Sequence, residues 1–519
     1  MPQHASERTN EDLESYFRYT SGRWLWDEEE QLRRRYRKFN VEHLQQIAAK
    51  ASGARRCISM SKLNEGNSNK AFRLVMENST AVIAKIPSPN AGPPKLTTAS
   101  EVATMDFART VLHIPVPKVL AWDADVNNHV ESEYMVMEEA QGTQLAEVWE
   151  DASIDDKISI AEDLARLQSQ MICITFSRYG ALYFTHSAHP ASVTAEVISH
   201  VPEHVIQDIS SRFVVGPVVS EAFWDPERTQ EVTGQGPWLN SESYLKSIAE
   251  RELAWLVKHA KSHSSNSISA EVSATPTVSS HRQPQQHAVL YERLLKIIAF
   301  LVEYGKSNGQ PCLWHWDMRP ADIFVEDGRI SRYREMIFYT GEKMLKLPSS
   351  FKDIGDEEKR QALLTKVEKS LIQHFYIQEM YGTNPDMVET WTAEQSGTIE
   401  HLMTYSENSW RTGLPPFRQC LITLWMHWDQ IAPNTECPIH FTDKQLRENI
   451  EDGKLWNANQ DFWSELDGVV SRDGWVTLED YEKAIEIFQA YREEGLKTLQ
   501  GEERSAFEES MNWLPKAEN

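Results

Sequence analysis

Positive charge is scarce in this 519-residue chain: 53 Lys and Arg face 77 Asp and Glu, for a formal net charge of −24. Binding DNA or RNA begins with cationic neutralisation of phosphates, so no nucleic-acid partner is expected. Cysteine is sparse as well. Cys57, Cys173, Cys312, Cys420 and Cys437 form no CxxC pair and have no His-rich neighbourhood. That argues against a zinc site or a disulfide framework and fits a reducing compartment. Long apolar runs are missing, since nothing approaches the ~18 to 20 residues of a membrane span. The stretch "MPQHASERTNEDLESYF" has early acidic residues and no apolar segment. Neither a secretory signal nor an Arg-rich transit peptide is expected from it, so either the protein is cytoplasmic or a targeting segment is missing from this chain. There is no internal repeat.

What remains is an ordinary globular composition, 40% hydrophobic and 25% charged, in a chain too long for one core; two or three lobes are expected. "DEEEQLRRRYRKF" predicts a helix with Asp27 and Glu30 as a capping box, and Asn40 opens a second helix, "VEHLQQIAAKA". The period then changes. "CISMSKLNEG", "KAFRLVME" and "TAVIAKIP" read as strands, "TTASEVATMDFARTVL" as a helix, and "VPKVLAW" and "EYMVMEEA" as two more strands. This order predicts an α+β lobe on an antiparallel sheet. Helical patterns dominate from about Leu145. Residues 263–287, rich in Ser, Thr, Pro and Gln, are expected to form a disordered loop, because they carry too little apolar surface to offset ordering entropy.

Within this frame, a few residues carry the pattern of phosphoryl transfer. Such chemistry needs a strand lysine locked by a helix glutamate, a metal ligand, and a base for the acceptor hydroxyl. Lys85 in "VIAKIP" and Glu101 in "SEVATM" have the first spacing. In "LWHWDMRPADIF", residues 313–324, His315, Asp317 and Asp322 have the spacing of a catalytic loop between apolar flanks. As isolated features each has a plain alternative: solvated surface charges, or a chance His-x-Asp pair. "VVSRDGWVTLED" is rejected as a calcium loop, because its first ligand position falls on Val469 and Asp480 replaces the final Glu.

Together with "TSGRWLWDEEEQLRRRYRKFNVEHLQQIAA", "NEGNSNKAFRLVM" and "DGWVTLEDYEKA", these motifs resemble the aminoglycoside phosphotransferase and choline kinase branch of the protein-kinase-like fold. Within that branch they are most similar to the group named for altered inheritance of mitochondria. The resemblance implies a two-lobed protein-kinase-like α+β fold: a helical extension over 1–55, a nucleotide-binding lobe over 56–142 with an antiparallel sheet, and a large, mainly helical lobe over 143–519. It implies ATP and Mg²⁺ as cofactors, a small-molecule acceptor, and a mitochondrial location. Gly66 and Asn67 would lie in the loop over the phosphates, and Lys85 would reach the α/β-phosphates and Glu101. Met137 would stand behind adenine, with backbone groups of Glu138 and Ala140 at its edge. Asp317 would be the catalytic base, braced by His315, with Asp322 and Glu335 as metal ligands.

The chain departs from the family pattern in three places. Gly66 stands alone where the family has a Gly-Gly turn. Asp322 replaces the usual Asn. Glu335 falls where the family has the Asp of an Ile-Asp-Trp segment, and "KLPSSFKDIGDEEK" then arrives early, consistent with a deletion or an altered splice junction. Mg²⁺ demands tight octahedral geometry, so the longer Glu335 side chain weakens that site. A second reading therefore stands beside the enzyme: a kinase-like scaffold that binds nucleotide or a partner without catalysis. The acidic balance suits a cationic acceptor, but the acceptor itself is not legible.

Overall fold

The computed structural model describes residues 10–225, 228, 234–260, 283–305, 309–314, 320–326, 329–332 and 344–514. His315, Asp317 and Glu335, and residues 263–282 of the Ser-rich segment, lie outside them.

The smaller lobe is built on a five-stranded antiparallel sheet in the order β2-β3-β4-β6-β5. Its strands are β2 (Cys57–Lys62), β3 (Asn69–Met76), β4 (Ala81–Pro87), β5 (Val119–Asp123) and β6 (Tyr134–Glu138). Helix α4 (Leu96–Thr110) enters between β4 and β5, in the order read from the sequence. Burial alternates strictly along β3 and β4. Phe72, Leu74 and Met76 with Val82, Ala84 and Ile86 form one face, fully shielded from solvent. The opposite face carries Ala71 and Arg73 on β3 and Ile83 and Lys85 on β4, all half-buried. The period of two thus gives the sheet a closed face and a cleft face.

The closed face is covered by the N-terminal extension. Phe17 of α1 (Asn10–Phe17), Leu44 and Ala48 of α3 (Val41–Ala51), and Phe39 just before α3 share one core with Phe72, Leu74 and Val136. Asn40 caps α3 as expected, its side chain accepting the His43 amide at 3.1 Å. Helix α2 (Glu28–Arg35) differs from expectation. Asp27 precedes it with φ of 52° and makes no side-chain cap, and Glu30 instead pairs with Arg33 at 2.7 Å. A left-handed Asp27 turns its carboxylate away from the first helical amides, so the capping box cannot close.

The second lobe is mainly helical, through α5 (Ile154–Ile172), α6 (Ser241–Lys258), α7 (Pro284–Tyr304), α8 (Glu357–Thr383), α9 (Leu414–Met426), α10 (Asp443–Glu465), α11 (Tyr481–Thr498) and α12 (Gly501–Ser510). Its largest core gathers α6, α7 and α9 around Leu294, Ile298, Phe417 and Leu421. Helix α7 corrects the expected disordered loop at its C-terminal end. Residues 284–287 are helical, with Pro284 in the first turn and His287 fully buried, its Nδ1 2.8 Å from Ser409 Oγ. Proline suits a helix start, and His287 begins the apolar stripe. The structure thus has the two-lobed α+β organisation read from the sequence, a smaller lobe on an antiparallel sheet and a larger, mainly helical one. Among the described residues, no helix is long and apolar enough to cross a membrane.

Two short sheets tie distant segments together. Strand β7 (Thr143–Gln144), just after the β6 exit, pairs with β8 (Phe324–Glu326), which in turn pairs antiparallel with β9 (Arg329–Arg332). Strand β1 (Arg23–Trp24) pairs with β10 (Trp475–Val476).

Candidate functional site

The cleft face of the sheet carries two cross-strand rows. Ala71, Lys85 and Met135 lie opposite one another, as do Arg73, Ile83 and Met137. Lys85 therefore projects from the middle strand toward α4, where its ammonium forms an ion pair with Glu101. The Lys85 side chain is 21% exposed and that of Glu101 34%. A stem sunk in a sheet with its charge at a cleft edge can meet a phosphate without full desolvation.

Met137 is half-buried on the cleft face, as a residue behind a base would be. Glu138 is more constrained than the sequence suggested. Its N–H donates to the Lys118 carbonyl at 3.0 Å, its carboxylate accepts the Lys118 amide at 3.0 Å, and Arg109 lies 3.4 Å from the same carboxylate. A base edge could address the Glu138 carbonyl, but not its N–H. Ala140 is half-buried in the segment before Gly142, whose φ of 92° turns the chain into β7. An open groove of about 540 Å³ lies behind this segment, lined by Ser52, Thr80, Arg109 and Val116 and by Glu138 and Glu139. That places it away from the Lys85–Glu101 pair.

The turn 63–68 joins β2 to β3 beside Lys85. Gly66 is exposed, with open space where a side chain would lie. Its neighbours are held. The Asn67 side chain accepts from Arg35, and its carbonyl accepts Asn90 Nδ2 at 3.1 Å. Glu65 accepts the Thr20 amide at 2.6 Å and pairs with Lys62 at 2.9 Å. Lys70, at the end of this segment, turns onto the closed face. It is fully buried, donates to the Arg35 carbonyl, and stands 3.4 Å from Glu65. Burial pushes its ammonium down to about 8, against the opposing charge of Glu65.

Asp322 is exposed, in the short turn Pro320–Asp322. The position of this turn is set by its neighbours: Ile323 is fully buried, and its carbonyl accepts the Leu145 amide at 2.7 Å. At the other end, Cys312 bridges to Thr175, and Pro311 accepts the Phe176 amide at 2.7 Å. The ends of the loop 313–324 are thereby anchored, and its far end is stitched beside the exit of β6. Of the three expected loop residues, only Asp322 is among those described. A carboxylate there suits Mg²⁺ as a hard oxygen donor. Among the described residues no three His, Cys, Asp or Glu side chains converge as a metal site.

Sequence reasoning missed Arg73 and Glu139. The Arg73 guanidinium pairs with both Glu139 oxygens, one at 2.9 Å, bridging β3 to the segment after β6. The alternation of β3 was the available signal, since it puts Arg73 on the face of Lys85. The buried group around Glu65 was missed as well, for want of any local pattern.

Residues 59–200 match the model of the phosphotransferase enzyme family. A subtelomeric hrmA-associated cluster protein of Aspergillus fumigatus is 27% identical over 490 residues, covering 83% of this chain and 91% of that protein. The protein named altered inheritance of mitochondria protein 9, mitochondrial, from Yarrowia lipolytica is 22% identical, covering 87% of this chain and 83% of that one. The resemblance read from the sequence is thus present in both comparisons, and they support a kinase-like phosphotransferase. Among solved structures, a ternary complex of an aminoglycoside phosphotransferase with streptomycin and ATP covers 74% of this chain and 96% of its own, at 10% identity and a TM-score of 0.36.

Proposed function

We propose that this chain binds ATP with Mg²⁺ between the cleft face of the sheet and the loop 313–324, and transfers a phosphoryl group to the hydroxyl of a small molecule. The observation that carries the reading is the Lys85–Glu101 ion pair, held between the middle strand and α4 on the half-open face of the sheet. A lysine fixed in this way supplies charge neutralisation without reorganisation, which is the main demand of phosphoryl transfer.

In this reading Gly66 and Asn67 offer backbone amides to the phosphates, and Lys85 offsets their charge. Met137, the Glu138 carbonyl and Ala140 hold the base. Asp322 and Glu335 would hold the metal, which draws charge off the transferring phosphoryl oxygens when bound. Asp317 would accept the acceptor's proton, with His315 bracing it. The location is proposed as mitochondrial, supported by the relatives whose names carry that word.

A second reading, a scaffold that binds nucleotide without catalysis, is favoured by Asp322 and Glu335 in place of the family's residues. Calorimetric titration of ATP with and without Mg²⁺, repeated on Lys85→Ala, separates the two. Metal-dependent binding that the variant loses supports the enzyme. Binding indifferent to Mg²⁺ supports the scaffold. No binding by the wild-type chain overturns both nucleotide readings.

A further inference from the structure

We propose that residues 20–35, clasped to the turn Ser471–Trp475, form a strap that positions the loop 63–68, so that the C-terminal helices set how tightly this loop holds a nucleotide's phosphates. The inference rests on the nucleotide reading above.

The strap is anchored at its far end by aromatic packing. Trp26 sits in a core with Trp463, Phe488 and Met511 from the last helices. Glycine is required at the clasp: a Cβ at Gly474, whose φ is +86°, would come within 2.6 Å of the Trp26 ring, and one at Gly22 within 2.4 Å of Trp475. Trp24 pairs with Trp475 in the β1–β10 ladder and donates its indole N–H to Asp473 Oδ2 at 3.1 Å, across 449 residues of sequence. Asp473 Oδ1 meanwhile accepts Ser471 Oγ at 2.7 Å and the Trp475 amide at 3.2 Å. One carboxylate oxygen therefore builds the turn and the other holds the strap.

The near end reaches the loop directly. The Arg35 guanidinium lies over the Trp24 ring at 4.3 Å and bonds the Asn67 side chain. Thr20 bonds Glu65 through both amide and hydroxyl, at 2.6 and 3.0 Å, and Ser21 Oγ accepts the Glu65 amide at 2.8 Å. Gly66 is thus flanked on both sides by residues the strap holds. Backbone amides cradle phosphate well only when they are already oriented. A loop with a single glycine lacks the freedom to orient itself around a ligand, so outside support has a larger effect.

The test uses the full chain and Asp473→Asn, which keeps an oxygen for Ser471 and Trp475 but loses the acceptor facing Trp24. Arg35→Met is the second variant. Hydrogen exchange of amides 63–69 should speed up about tenfold in each, with strands β3 and β4 unchanged beyond the turn. Affinity for Mg²⁺-ATP should fall by about the same factor. Unchanged exchange at 63–69 in both folded variants overturns the strap. Faster exchange with unaltered ATP affinity upholds the strap's grip on the loop and overturns the loop's phosphate role. If the wild-type chain binds no ATP, the nucleotide reading fails, and the exchange measurement still decides the strap.

Discussion

Lys70 and Lys85 occupy neighbouring strands of one sheet and meet opposite fates. Lys70, in the row of Ile86, faces the closed side, is fully buried, and spends its donors on a carbonyl and a buried glutamate. Lys85, in the row of Ala71, faces the cleft and keeps part of its charge in water beside Glu101. The chemistry of the side chain is identical. What differs is the pleat, which sends alternate residues to opposite faces, and what each face packs against. A structural lysine and a candidate phosphate ligand are separated by register alone.

That contrast can be broken in graded ways. The largest effect is expected from Glu65→Ala, which strips the half-buried Lys62 and the buried Lys70 of their shared carboxylate. The cost should be about 3–5 kcal/mol in a urea unfolding titration; a loss below 1 kcal/mol would show that water reaches the cluster. Lys85→Ala should cost stability at most about 1 kcal/mol, because its pair is partly exposed. It should nevertheless weaken ATP binding roughly tenfold or more by calorimetry. A variant that loses stability but keeps its affinity would invert the assignment of the two faces.

Smaller effects sharpen the comparison. Arg73→Ala removes a half-exposed pair on the cleft face and should cost about 0.2–1 kcal/mol in the same titration. Lys70→Met tests the closed face through pH. Burial lowers the folded ammonium from 10.5 to about 8, so between these values the unfolded chain binds more protons than the folded one. Wild-type stability should then rise with pH through that window while the Met variant, which cannot titrate there, gains nothing from this position. Wild-type stability relative to Lys70→Met should therefore rise progressively from about pH 8 to 10.5. A gap constant with pH would mean that Lys70 is not desolvated.

Much of the smaller lobe was legible in the sequence. The shift from helical to alternating period at Cys57, the breaks at Asn64–Gly66 and Glu77–Thr80, and the return to helix before Glu101 mark the elements the structure contains. Lys85 and Glu101 were legible too, because a strand lysine and a helix glutamate at that spacing meet once the strand and helix pack. The Asp27 cap was misread, because a capping motif names residue types and says nothing of the φ that Asp27 adopts. The Glu138 N–H is engaged by the carbonyl of Lys118, just before β5, a contact that no local pattern announces. The expected disordered loop overran into α7, because His287 and its neighbours gain order from Ser409, far along the chain.

By itself, then, the sequence determined the order of the elements, the two faces of β3 and β4, and which charged residues could serve phosphate. These follow from local period and residue chemistry, which act over a few residues and need no knowledge of the rest. Only the tertiary structure decided that Arg73 reaches Glu139, that Lys70 and Glu65 are sealed beneath the N-terminal extension, and that Trp24 is clasped by Asp473. Such contacts join segments that share no local pattern. They exist because the chain returns to close its cores, and the packing of whole lobes, rather than any short motif, selects which side chains then meet.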